Sequence, residues 1–241
     1  MSNQYAGGFI SKTPPTVTTS SAKGMWTLSQ QAQYKKEGVW PNALIPTVIG
    51  QAFGGGFYAG KINVSGTQYY LIVAPIANGY SGSKNWGPQG VTGITSVING
   101  PTNSAAIAAL GASYQAAYFC ENLSINTYTD WYLPAKNELE VLYYNLKPTT
   151  ITNDTASGAN VNAVSPEPYN TNYTSGSPAQ TVATDFQSGG AEAFNNAVYW
   201  SSSEYDSTYA WMQSIGDNGY QNIDYPKNFN NACRAVRRVP V

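Results

Sequence analysis

The run Asp130-Trp-Tyr-Leu-Pro-Ala-Lys-Asn-Glu-Leu139 continues as Glu140-Val-Leu-Tyr-Tyr-Asn-Leu146 and is the most sharply patterned stretch of the chain. Leu139, Leu142, Tyr143 and Leu146 recur at i, i+3, i+4 and i+7, the spacing of one apolar helix face. Pro134 suits a first helical position and Pro148 cannot continue a helix, so a helix over 134–147 is predicted. Ahead of it, residues 104–124 read as a second helix. Ile107, Leu110, Tyr114, Ala117 and Tyr118 form one stripe, and Ala116, Cys120 and Leu123 form another. Residues 77–103 read as loops carrying Trp86. Further upstream, Lys61–Val64 and Tyr69–Val73 flank Ser65-Gly66, which predicts a β-hairpin. Its second strand is apolar on both faces and should lie inside a sheet.

Downstream, residues 149–190 are a long Asn, Thr, Ser, Gly and Pro stretch, and loops of that length are usually functional or disordered. Four short strands follow: Ala197–Ser201, Tyr209–Ile215, Tyr220–Asp224 and Cys233–Val239. Gly216-Asp-Asn-Gly219 is a strong turn between the second and third. Tyr209, Trp211, Gln213 and Ile215 would alternate onto one face. A hairpin, two helices, a long loop and a cluster of short antiparallel strands define an α+β class.

The front differs in texture. Residues 1–24 carry Pro14-Pro15 and a Ser/Thr run, an extended arm that is either a loose tail or a docked strap. Thr27 with Gln30 is a capping-box start for a short polar helix, and Gly38 a stop. Trp26 and Trp40 flank this helix. They either dock onto another surface or pack against the chain's own domain. The expected organisation is an attachment arm over 1–45 and one domain over 46–241.

Composition limits the chemistry. The chain has 241 residues, 42% of them hydrophobic, so it can build a real core. Only 10% are charged and the net charge is −1, which argues against nucleic acid or an anionic membrane as partner. There is no His, which removes His-based triads, His general bases and His-ligated zinc. The 19 Tyr, with abundant Asn, Ser and Thr, make a surface suited to ring stacking and hydrogen bonding. The start lacks a basic and apolar leader, and no apolar run approaches the ~20 residues of a membrane span. No catalytic set and no cofactor are expected.

Three spaced motifs make the fold more specific. Thr129-Asp-Trp-Tyr-Leu-Pro-Ala-Lys-Asn-Glu-Leu139, then Tyr199-Trp-Ser-Ser-Ser-Glu204 with Ala210-Trp211, then Arg234-Ala-Val-Arg237 occur in order. They resemble a bacterial and phage domain family of C-type-lectin-like fold that occurs in adhesin-like proteins, over roughly residues 53–241. Met25-Trp-Thr-Leu-Ser-Gln-Gln-Ala, with Val39-Trp-Pro41, resembles N-terminal segments of tailed-phage virion proteins. The two resemblances imply a virion protein: an attachment arm and short helix before a lectin-like head of two helices on short antiparallel strands with long loops. Related heads are often trimeric, which implies a homotrimer on a phage tail or capsid exterior, assembled in the host cytoplasm.

Within that frame Trp131, Leu133, Trp200 and Trp211 are expected to be core. Glu138 and Glu204 are expected to pair with Arg234 or Arg237 and fix strand register. The family often staples its first helix to its last strand. By that resemblance Cys120 and Cys233 are either a disulfide or two buried thiols. Glu167-Pro168-Tyr169 departs from the lectin calcium loop, and Trp200 is followed by Ser-Ser, so no calcium or other metal site is expected. Related heads bind through the final strands and loops. The implied ligand residues are Tyr205, Asp206, Tyr209, Asp217, Asn218, Tyr220, Asn222, Asp224 and Tyr225. The expected function is non-catalytic adhesion to a host surface glycan or protein. The alternative is a structural virion protein, a capsid decoration or connector-associated fibre, contacting mainly other virion proteins.

Overall fold

The structure is a computed structural model and describes residues 27–36, 45–164 and 170–241. The chain divides into two units, Met1–Ile45 and Pro46–Val241. In the first, helix α1 spans Leu28–Lys36. Thr27 Oγ1 accepts from the Gln30 N–H at 3.2 Å while Gln30 Oε1 accepts from the Thr27 N–H at 2.9 Å, a reciprocal cap. The arm over 1–24, Trp26, Trp40 and Glu167-Pro168-Tyr169 lie outside the described residues.

The second unit is mixed α+β, mostly sheet with few helices. Strands β1 (Ala52–Phe53), β2 (Gly56–Val64) and β3 (Thr67–Val73) form an antiparallel meander. Ser65 and Gly66 both sit at positive φ, 51° and 90°, which is what a two-residue hairpin turn with the right twist requires. The C-terminal strand β9 (Val236–Pro240) pairs along β3, so both chain ends of the unit close one sheet in the order β1-β2-β3-β9. A helical turn, α2 (Ile76–Gly79), leads into β4 (Tyr80–Asn85). β4 starts the second sheet, β4-β8-β5-β6-β7, with β5 Val198–Glu204, β6 Ala210–Ser214, β7 Gln221–Asn222 and β8 Asn230–Arg234.

Two predicted elements are divided. Residues 104–124 are not one helix: α3 (Gly100–Ala109) and α4 (Gln115–Glu121) are separated around Gly111, whose φ of +112° breaks the helical path. The break puts the expected stripe out of phase. Ile107, Ala116, Ala117 and Cys120 are buried, while Leu110 and Tyr118 are exposed. The predicted strand Cys233–Val239 splits at Ala235 into β8 and β9, which belong to different sheets.

Helix α5 (Lys136–Leu146) begins two residues after Pro134, which lies in the extended lead-in with Ala135 as cap. Glu138, at its third position, turns back so that Oε2 accepts the Ala135 N–H at 2.8 Å. α5 is buried on nearly every face. Leu139, Leu142 and Leu146 join β2 and β3 in one apolar cluster, with Ala59, Ile62 and Leu71. Its polar side chains hold the long loop instead. Glu140 accepts from Tyr173 Oη at 2.8 Å and Asn160 Nδ2 at 2.6 Å. Tyr143 Oη and Lys147 Nζ both donate to Asn153 Oδ1. These buried polar groups partner one another, and a stretch with little regular structure is pinned. A second cluster, with Trp86, Trp131, Trp200, Met212 and Cys233, lies between α3, α4 and the second sheet.

Candidate binding surface

The motif residues mostly face inward. Trp131, Leu133 and Trp200 are buried, and Trp200 Nε1 donates to the Lys84 carbonyl at 2.9 Å. The expected ion pairs are corrected in every case. Glu204 pairs with Lys227, Arg234 with Glu192, Arg237 with Asp130 and Glu138 with Arg238. Strand splitting is the reason: β8 carries Arg234 to the second sheet, where Glu192, in the segment leading to β5, meets it at 2.6 Å, while β9 carries Arg237 and Arg238 along β3.

Arg234 is wholly buried between Phe186 and Phe194 and donates Nε to the Ala74 carbonyl. Burial lowers it to about 10, with Glu192 opposing. Glu204 is held below the ordinary carboxylate range. Burial would raise it, but Lys227 and the Thr92 and Gly93 N–H groups outweigh that. Glu138 goes the other way. Burial lifts it to about 7, although Ala135 N–H, Arg238 and Tyr132 Oη all favour the charged form. Each of these carboxylates is spent on holding chain segments together.

Trp211 departs from its expected core position. Ala210, Met212 and Gln213 take the buried positions of β6, and Trp211 is half-buried. The reason lies at the sheet edge. β7 covers only Met212 and Gln213, so Trp211 falls just beyond its shelter. Tyr205, 49% exposed, meets the indole edge-on, with centroids 5.4 Å apart at 88°. Lys136, at the first position of α5, lays its ammonium over the same indole, 4.6 Å from the centroid. Its backbone N–H is fixed by Ser203 Oγ at 3.0 Å.

The predicted contact residues are not gathered into one site. Tyr205, Asp206 and Tyr209 share the β5–β6 turn, where Asp206 Oδ1 caps the Thr208 and Tyr209 N–H groups at 2.7 Å. Asp217, Asn218 and Tyr220 sit at the other end of β6. There the Asn218 carbonyl takes the Asp154 N–H, and the Asp217 carbonyl takes Thr149 Oγ1. Asn222 is paired within β7 opposite Met212, and Asp224 is exposed. Tyr225 stacks on Phe229, centroids 4.5 Å apart at 15°. Sequence reasoning missed Lys136 and Phe229. Phe229 stood in plain view among the polar residues of 228–231. Nothing local to Lys136 announces that the start of α5 would reach β6.

A separate groove of about 430 Å³ runs along α4, lined by Lys84, Gln115, Tyr118, Phe119, Asn122 and Leu123, and none of the predicted contact residues lines it. Cys120 and Cys233 are both buried free thiols, near enough to influence one another. Burial first, and then Cys233, push the Cys120 thiol far above its usual range. Among the described residues no group of three His, Cys, Asp or Glu could hold a metal ion, and no helix is long and apolar enough to cross a membrane.

No family model matches this chain, and no curated protein matches it. A fimbrial protein from Bacteroides ovatus ATCC 8483, solved as a crystal structure, is similar with a TM-score of 0.39 and 13% identity. The match covers 69% of this chain and 35% of that one. This chain therefore spans about a third of that protein.

Proposed function

We propose that residues 46–241 form a non-catalytic adhesive head of C-type-lectin-like fold. It would belong to a phage virion protein of receptor-binding or tail-fibre type, gripping a host surface glycan or protein. Three kinds of feature support the reading. The first hairpin closes on the last strand, with α5 packed behind it. The motif residues Trp131, Leu133, Trp200 and Glu204 are buried, which leaves them to hold the domain together. The observation that carries the reading is the half-exposed Tyr205–Trp211 pair with Lys136 beside it, an open aromatic face in a domain whose motif tryptophans 131 and 200 are otherwise enclosed. Stacking on such rings with amide and hydroxyl contacts around them gives modest single-site affinity, and a homotrimer on a particle would multiply it.

The test is adsorption of the labelled full chain to a panel of candidate bacterial hosts. Tyr205→Ala and Trp211→Ala should each weaken binding about tenfold, a loss of about 1.4 kcal/mol. Tyr220→Ala, at the far end of β6, should bind like the parent. Undiminished adsorption of both platform variants contradicts the proposal. A second reading, a structural virion protein, is favoured by one observation: the α4 groove joins exposed Tyr118 to half-buried Phe119 and Leu123, an apolar seam suited to a neighbouring subunit.

A further inference from the structure

We propose that the Lys136 ammonium, lying on the Trp211 indole beside Tyr205, reads a carboxylate, and that the ligand of this face is an acidic saccharide such as a uronate-bearing chain. The inference rests on Tyr205 and Trp211 being the adhesive face. Its ground is the setting of this ammonium: among the described residues Lys61 and Lys84 also have no ion pair, but Lys84 lies over Phe119 in the α4 groove, 5.7 Å from the ring centroid, whereas Lys136 shares its ring with the exposed Tyr205. Lys227, Arg234, Arg237 and Arg238 each have a carboxylate of their own. Lys147 is met by neutral oxygens, including the Asn153 side chain at 2.7 Å and the Pro178 carbonyl at 3.2 Å. Lys136 has no ion pair and no hydrogen-bond acceptor for its ammonium among the described residues, only the indole.

The acids near it are committed elsewhere. Glu140, one turn along α5, attracts Lys136 but takes Tyr173 Oη and Asn160 Nδ2. Asp206, next to Tyr205, is folded back onto the Thr208 and Tyr209 N–H groups. Burial lowers the Lys136 pKa, with Glu140 opposing, so the charge is held at a cost that an incoming anion would offset. A sugar fits better than an acidic peptide. The open Tyr205 ring can take the C–H face of a pyranose while the ammonium takes its carboxylate.

The test uses the full chain and three probes: polygalacturonate, the same polymer with its carboxyls reduced to alcohols, and polyglutamate. The parent should bind polygalacturonate about tenfold more tightly than either control. Lys136→Met, which keeps the stem on Trp211, should erase that preference with an unchanged melting temperature, and Lys136→Arg should restore most of it. A preference that survives in Lys136→Met overturns the inference. So does polyglutamate bound as tightly as polygalacturonate, or no binding to polygalacturonate. If Tyr205→Ala and Trp211→Ala lose host adsorption while Lys136→Met does not, the charge reading alone falls. If all three adsorb normally, the adhesive face itself falls.

Discussion

Glu204 offers the sharpest test of whether the shared motif is scaffold rather than site. Its carboxylate joins three chain segments. It accepts the Thr92 and Gly93 N–H groups at 2.8 and 2.7 Å and pairs with the buried Lys227 ammonium. Lys227 in turn donates to the Gly90 carbonyl at 2.8 Å and lies 4.9 Å from the Trp86 ring centroid. Glu204→Ala would leave two N–H groups without their acceptor and an enclosed ammonium with one carbonyl. Breaking a buried pair from one side costs about 3–5 kcal/mol. With a urea slope of about 2 kcal/mol/M, a loss of about 4 kcal/mol lowers the unfolding midpoint by about 2 M. Lys227→Met should cost less, about 2–3 kcal/mol, because the carboxylate keeps its two backbone donors. The double variant Glu204→Ala/Lys227→Met should lose less than the sum of its singles, by about 2 kcal/mol or more. Urea unfolding followed by tryptophan fluorescence measures all four proteins. A loss below about 1 kcal/mol for Glu204→Ala, or strict additivity in the cycle, would refute the reasoning.

Two further outcomes follow from buried titratable groups. Glu138 is lifted to about 7 from 4.5, so the folded chain holds this proton more tightly than the unfolded one. The stability it contributes is fully present below about pH 4.5 and is lost as pH rises through about 7, roughly 3 kcal/mol in all. Glu138→Gln should flatten the decline in urea midpoint between pH 5 and 8, and an unchanged slope would contradict the assignment. The Cys120 and Cys233 thiols, both buried, should resist a thiol-reactive dye in the native chain and react only when it unfolds. Immediate labelling at pH 8 would contradict their burial.

What the sequence made legible was local. The Ser65-Gly66 hairpin and the apolar face of Leu139, Leu142 and Leu146 depend on neighbours within a few residues. The break at Gly111 was also local, yet the apolar stripe on either side of it masked the turn. The ion pairs were not legible. Arg234 and Glu192 are 42 residues apart and Arg237 and Asp130 are 107 apart, and only the division of β8 from β9 decides which Arg meets which acid. Trp211 was misplaced for a similar reason. Its exposure is set by how short β7 is, a property of the sheet edge that no motif spells. Lys136 was invisible as a site residue because its role arises only when α5 packs against β6.

The most direct test of the central claim is hydroxyl-radical footprinting of the full chain, free and bound to an adsorbing host cell. The account predicts protection of Tyr205 and Trp211 on binding, with Tyr118, Phe119 and Tyr220 unchanged. Protection of the α4 groove at Tyr118 and Phe119, with Tyr205 and Trp211 still reactive, would contradict it and move the host contact to that groove.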